Sequence, residues 1–174
     1  AEHQAVHVMI STTTLDTELW KSMEPRTSHP LKRIEALGAL NAAGIPAGVM
    51  IGPVIPGLND EEIPAILQAA GEAGVQHASY TVLRLPYGVK SVFEDWLENR
   101  FPNHKAKVLN RLEALHGGLV QFGKDGKRMS GGGEIAREIA FLFRSGCKQA
   151  GISNQKTSLS TKAFRREPHV RELF

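Results

Sequence analysis

Short β-branched runs alternate with helix-spaced apolar patterns three times in succession in this chain, and a proline or glycine marks each change. Val6, Val8, Met9 and Ile10 form a strand-length run, residues 6–10, that ends in Ser11, Thr12, Thr13 and Thr14. An amphipathic piece over residues 18–23 follows, and Pro25 interrupts it. Leu31, Ile34, Leu37 and Leu40 then keep helical spacing, with Thr27 or Ser28 as the expected cap, Pro30 in the first turn and Gly44 as the left-handed stop. Residues 45–55 read as a second strand, but Pro53 and Pro56 bar its end from an ordinary central ladder. Asn59 and Glu62 have the spacing of a capping box before a helix carrying Ile63, Ile66, Leu67 and Ala70, which Gly74 ends. Residues 77–85 are the third strand, stopped by Pro86.

Strand–helix–strand–helix–strand with short links predicts an α/β fold with a parallel sheet. Ligands in such sheets bind where the loops after the strands converge. Three such places follow: residues 11–16, 52–59 and 84–88. Beyond Pro86 the pattern is helical only. Residues 89–100 are amphipathic, Pro102 opens a helix through Val108 and Leu112, and a glycine-rich basic loop over residues 123–133 precedes a last helix over residues 134–150. The expected organisation is a sheet unit over 1–87, a helical extension over 88–152 and an irregular tail over 153–174 laid on the surface.

Composition narrows the function classes. A net charge of +3 and a pI near 9.1 make the chain mildly basic, which alone does not argue for nucleic acid. No apolar run reaches membrane-spanning length, so no membrane partner is expected. The start, Ala1-Glu2-His3-Gln4, resembles no targeting peptide and lacks an initiator methionine, so a fragment is expected. Cys147 is the sole cysteine, which excludes an internal disulfide and points to a reducing, cytoplasmic setting. The histidines show no zinc-site spacing.

A set of short segments resembles a known family. Residues 11–16 (Ser-Thr-Thr-Thr-Leu-Asp), 23–26 (Met-Glu-Pro-Arg), 43–50 (Ala-Gly-Ile-Pro-Ala-Gly-Val-Met), 53–60 (Pro-Val-Ile-Pro-Gly-Leu-Asn-Asp) and 83–86 (Leu-Arg-Leu-Pro) stand in this order. Residues 116–118, 127–131 and the closing 172–174 continue it. Together they resemble the C-terminal half of radical S-adenosylmethionine (SAM) enzymes, in the branch related to spore photoproduct lyase and described as DNA repair photolyase-like. The resemblance runs from about residue 6 to the end. It implies three strand–helix units of a partial parallel (β/α) barrel with a helical C-terminal extension. It departs from the family at the chemistry: the three closely spaced cysteines that hold a 4Fe–4S cluster are missing. The cluster is therefore expected only in a longer protein carrying that motif, and SAM binding by this chain is expected to be weak or absent.

The resemblance implies cofactor-binding roles for particular positions. Ser11 and Thr13 would contact the ribose or the amino-acid part of SAM; the competing reading is that their hydroxyls satisfy a strand-end turn. Arg26 would reach the SAM carboxylate, where a guanidinium fork suits; against this stands plain exposure, or a structural pair with Glu24. Gly52 and Val54 would shape the second strand's end, with Gly52 admitting a ligand close to the backbone, while Asn59 reads as a helix cap. Leu83 and Arg84 would offer backbone groups and apolar surface to adenine, with Arg84 either meeting an anion or packing its stem under the next helix. Lys124, Lys127 and Arg128 are either phosphate contacts or a solvated loop. No catalytic residue and no metal ligand is assigned.

Three functions remain. The first is the SAM- and substrate-binding half of a radical SAM enzyme, inactive alone; nucleic acid as substrate rests on the family label, and aromatic platforms for bases are scarce at 6% of residues. The second is a non-catalytic interaction domain of a split or truncated gene. The third is a cluster-free α/β enzyme, for which only Asp16, Glu24 and Asp60 stand at strand ends. A sheet cut from a barrel also has an open edge at its first strand. The expected partner there is the missing N-terminal half or a second copy in a homodimer, with the tail and residues 119–122 as alternatives.

Overall fold

A computed structural model describes residues 2–86, 88–116, 129–153 and 158–165. Three strands, β1 (Val8–Thr12), β2 (Ala47–Val54) and β3 (His77–Val82), form one parallel sheet in the order β1-β2-β3. The helices are α1 (Thr17–Met23), α2 (Pro30–Ala42), α3 (Ile63–Glu72), α4 (Val89–Arg100), α5 (Pro102–His116) and α6 (Gly133–Gln149). A 3-10 turn over Asp60–Glu62 leads into α3. The chain is thus mixed α/β with a three-stranded parallel sheet, as the alternation predicts. No described helix is long and apolar enough to cross a membrane.

Sequence boundaries shift in physically readable ways. β1 runs two residues later than its apolar core, through Ser11 and Thr12, because the ladder pairs them with Met50 and Ile51. The start of α2 is capped not by Thr27 or Ser28 but by His29, whose Nδ1 accepts from Leu31 N–H at 3.3 Å. In β2 the register slips between Ile51 and Val54, around a cis Gly52–Pro53 bond. A proline has no N–H to give a ladder, as its position in the sequence implies.

Alternation separates two unlike faces. Val8, Ile10, Ala47, Val49, Ile51, Ala78, Tyr80 and Val82 turn into the core formed with α2, α3 and α6. Met9, Ser11, Gly48, Met50, Gly52, His77, Ser79 and Thr81 turn the other way and stand outside that core. The helices packed against the strands, α2 and α3, lie on the apolar face, and Phe143 of α6 meets Tyr80 there at 4.8 Å between ring centroids. The other face is small and polar.

The C-terminal ends of α2, α3 and α6 are built alike. In each, an alanine is followed by a glycine at positive φ: Gly44 (74°), Gly74 (80°) and Gly151 (66°). The next residue's N–H then reaches back to close the helix: Ile45 to Leu40, Val75 to Ala70 and Ile152 to Cys147, at 2.9, 3.0 and 2.9 Å. Adjacent helices also nest alike. A Cβ on Gly38 of α2 would stand 2.8 Å from the carbonyl of Ala73, and one on Gly71 of α3 would stand 2.5 Å from that of Ala150. After its cap, α6 returns to the sheet, where Ser153 forms a parallel bridge with His77. So α6 stands to α3 as α3 stands to α2.

The links from cap to sheet shorten along the chain. Gly48, His77 and Ser153 lie on one line across the sheet. They follow their helix-ending glycines, Gly44, Gly74 and Gly151, by four, three and two positions.

The nesting of α3 on α6 is testable at Gly71. Alanine there gains about 1 kcal/mol of helix propensity but drives a methyl into backbone that cannot rotate away, at a cost of about 1–3 kcal/mol. Gly71→Ala is expected to lower the urea midpoint without changing the slope; a raised midpoint would show that α3 and α6 do not meet this closely.

Candidate functional site

The three strands end at one rim because they are parallel. Thr12 pairs with Ile51, and Leu83 N–H donates to Val54 O at 2.8 Å, so the loops after β1, β2 and β3 come together. Ser11, Gly52 and Arg84, far apart in sequence, share this edge.

Polar side chains, with Arg33, Asn59 and Asp60 buried and Glu62 half-buried, tie the segments after β1 and β2 together. Glu62 accepts from Thr14 Oγ1 at 2.5 Å, Leu15 N–H at 2.7 Å and Asp16 N–H at 3.2 Å. Asn59 accepts from Ile55 N–H at 2.6 Å and donates to Thr13 O at 2.8 Å and Pro53 O at 3.1 Å. Asp60 accepts from Gly57 N–H at 2.7 Å and pairs with Arg111, which also holds Glu138 at 2.7 Å. On the other flank, Arg33 donates to Ser11 O and Ser28 O, both at 2.9 Å, to Glu24 at 2.8 Å and to Thr27 Oγ1. Only 9% of its side chain is exposed, so its charge is carried by Glu24 and by carbonyls rather than by water.

Several sequence expectations change against this geometry. Asn59 does not cap a helix; its amide spans two loops. Arg26 is exposed, and the arginine paired with Glu24 is Arg33, one turn into α2. The space above Gly52 is held by Thr81, whose Oγ1 would lie 2.5 Å from a Cβ there, so the bare backbone admits a neighbouring strand. Thr13 is buried and donates to Gly52 O at 3.0 Å. Val54 is buried in the core. Both backbone groups of Leu83 are engaged, its N–H by Val54 and its carbonyl by His116 Nε2 at 2.9 Å. Arg84 is half-buried, and Ser11 is exposed. Lys124, Lys127, Arg128, Gly117, Gly118, residues 119–122 and residues 172–174 lie outside the described residues. Of the tail, Ser160 N–H donates to Gln4 O at 2.8 Å, ahead of β1.

Sequence reading missed Glu62 as an organiser and Arg33 altogether. Glu62 carried a signal, its place three residues after Asn59, but that signal points to a local cap. Arg33 carried none, since a charged residue in an amphipathic helix reads as solvated.

What remains available at the rim is the exposed hydroxyl of Ser11 and, running down the open face, Met50, Ser79 and Thr81, with Ser79 Oγ donating to Met50 Sδ at 3.1 Å. These suit the hydroxyls and flat rings of a nucleoside. A 4Fe–4S cluster does not fit the chain. It needs several thiolates, and the single cysteine, Cys147, is buried in the core on α6, where burial pushes its thiol pKa up. Among the described residues no three His, Cys, Asp or Glu side chains form a metal-binding group. Two cavities lie away from the rim. One of about 500 Å³ sits between the ends of α2 and α3, beside Gly44, Gly74 and His77. The other, of about 310 Å³, lies beside Asp60, Lys107, Arg111 and Phe141.

The chain is 31% identical over 118 residues to an uncharacterized protein of Mycobacterium tuberculosis and, with the same figures, to one of Mycobacterium bovis. The match covers 67% of this chain and 34% of each relative, so the chain spans about a third of the length of the curated relatives it matches. No family model matches it, and no solved structure does.

Two outcomes follow from the site. Glu62→Gln keeps the shape but gives up charge-assisted bonds, each contributing about 1.5–3 kcal/mol. It is expected to destabilise the chain and to raise amide exchange at Leu15 and Asp16 selectively; uniform exchange changes would refute the clamp. The second concerns His7 at the far end of the open face. Burial, and then the adjacent His77, hold its pKa below the ordinary imidazole value. The unfolded chain then binds the proton more readily. Stability is expected to fall as pH drops through the unfolded value of about 6.5, and to level off below the folded one. His7→Gln should flatten urea midpoints between about pH 7 and pH 5; an unchanged slope would refute this.

Proposed function

We propose that this chain is the C-terminal, SAM- and substrate-binding part of a radical SAM enzyme of the spore photoproduct lyase-like branch, and that it is not competent alone. The observation that carries the reading is the meeting of three resembling segments, residues 11–16, 53–60 and 83–86, at the carboxyl rim of one parallel sheet beside an open polar face.

A partial barrel is the architecture the resemblance implies. The unreversed strand order with α2, α3 and α6 on one side accords with a barrel sector, and one half of a doubly wound sheet shares it. The link from cap to sheet that shortens by one residue per repeat is what a barrel of eight strands and shear 8 would give with its helix ends level. In such a barrel the polar face is the interior, which accounts for a parallel sheet with one face left small and hydrophilic.

The residues fit part of SAM. Ser11, Ser79 and Thr81 offer hydroxyls to a ribose, and Arg26 offers an exposed guanidinium to a carboxylate. SAM, when bound at a reduced cluster in the longer protein, supplies hydrogen-abstraction chemistry. This chain's part is to bind and orient it and to shape the substrate's side of the cavity. Arg33, Asn59 and Glu62 hold the segments after β1 and β2 at fixed separation, so Ser11 is positioned before any ligand arrives. A cytoplasmic setting agrees with this chemistry. A nucleic-acid substrate rests on the family resemblance.

A second reading, an assembly domain that pairs with its own copy, draws on β1. Among the described residues its outer edge has no strand partner, although parallel strands are normally flanked. One set of measurements separates the two. The full-length mycobacterial relative, reconstituted anaerobically with iron and sulfide and given SAM and a reductant, is expected to bind a cluster and release 5′-deoxyadenosine. The present chain under the same treatment is expected to do neither and to bind SAM weakly, with Ser11→Ala weakening it further. A relative that forms no cluster and leaves SAM intact overturns the first reading. A twofold dimer of the present chain by light scattering, with no SAM binding, favours the second.

A further inference from the structure

The rim and the proposed activity leave the amino end of the open face without a role. Three donor side chains lie there, Met9 and His77 against the bare Gly48 and His7 against His77. His7 stands just before β1 and His77 opens β3, with β2 between them. Their rings meet edge-on, 5.0 Å apart at 74°. Beneath them is Gly48: a Cβ on it would lie 2.8 Å from Met9 Sδ and 2.9 Å from His77 Cβ. The thioether and the second imidazole therefore flank Gly48 from the strands on either side of β2. His7 Nε2 is buried and has no hydrogen-bond partner among the described residues.

We propose that His7, His77 and Met9 form a binding site for copper(I) at the amino end of the open face. Two imidazoles edge-on at this separation can each turn one nitrogen onto a single ion. A ligating histidine uses one ring nitrogen and keeps the other for a hydrogen bond that orients it, so His77 can ligate while bonded elsewhere. A thioether selects soft copper(I) over hard oxygen-seeking ions, and imidazole suits copper too. No carboxylate belongs to the set, which disfavours calcium and magnesium. Zinc would want a third and a fourth nitrogen, thiolate or carboxylate, and the described residues gather no group of three such side chains. Met50 supplies a further thioether on the same face, already accepting from Ser79. The site needs neither SAM nor the rim, and it stands apart from the proposed activity.

The test is an anaerobic competition for copper(I) between the full 174-residue chain and the chromophoric chelator bicinchoninate. One equivalent is expected to leave the chelator. His7→Gln and Met9→Leu are each expected to weaken binding by on the order of tenfold or more, with circular dichroism confirming that both fold. Cys147→Ser, which removes the only thiol, should leave binding unchanged. X-ray absorption at the copper edge should show a sulfur neighbour that Met9→Leu removes; this conservative variant decides the matter if His7→Gln does not fold. Failure of the wild type to take copper from the chelator overturns the site. So does folded Met9→Leu binding as the wild type does, or loss of binding on Cys147→Ser.

Discussion

Parallel strands cannot be joined by tight turns, and the rest of this structure follows from that restriction. Each strand must be carried back to its starting end by a helix, and the helix must bury one stripe against the sheet it crosses. β1, β2 and β3 therefore demand α2 and α3 between them, and α6 repeats the arrangement when it returns the chain to Ser153 beside His77. The three helices end in the same alanine–glycine cap because each must stop abruptly and turn into a strand within a few residues. Gly38 and Gly71 permit the close nesting that sets the helices at an even spacing.

The same restriction gathers the strand ends, and there the chain spends its buried polar groups. Loops after parallel strands hold many backbone groups with no ladder to join. Glu62 takes up groups of the loop after β1, Asn59 spans the loops after β1 and β2, and Arg33 joins β1 to the segment before α2. A buried charge costs several kcal/mol unless partnered, so Arg33 holds one geometry or none. The rim is accordingly held in one geometry, while Ser11 and the hydroxyls down the open face are left free of the core.

The two faces of the sheet divide the labour between stability and binding. The apolar face is closed by α2, α3 and α6 and holds the largest buried side chains, among them Leu37, Ile51 and Leu67. The other face carries glycines, hydroxyls, thioethers and the His7–His77 pair. A face of that composition gains little from burial against another apolar layer, and the two proposals place ligands at its opposite ends.

Local chemistry is legible in the amino-acid sequence itself. The alternation of β-branched runs with helical spacing, the stops at Gly44 and Gly74 and the interruption of β2 at Pro53 depend on residues close in sequence, and each stands where the pattern puts it. The meeting of the strand ends is legible too, because a parallel sheet leaves no other arrangement. What only the tertiary structure decided is which side chains reach across. Arg33 reads as a solvated helical residue until β1 brings the carbonyl of Ser11 over it, and Glu62 reads as a cap until the loop after β1 arrives. Gly48 is an unremarked glycine until Met9 and His77 are laid on either side of it. These contacts join residues that lie on different elements, far apart along the chain. A periodic pattern says which face a residue takes, but only the register of the strands fixes what stands opposite.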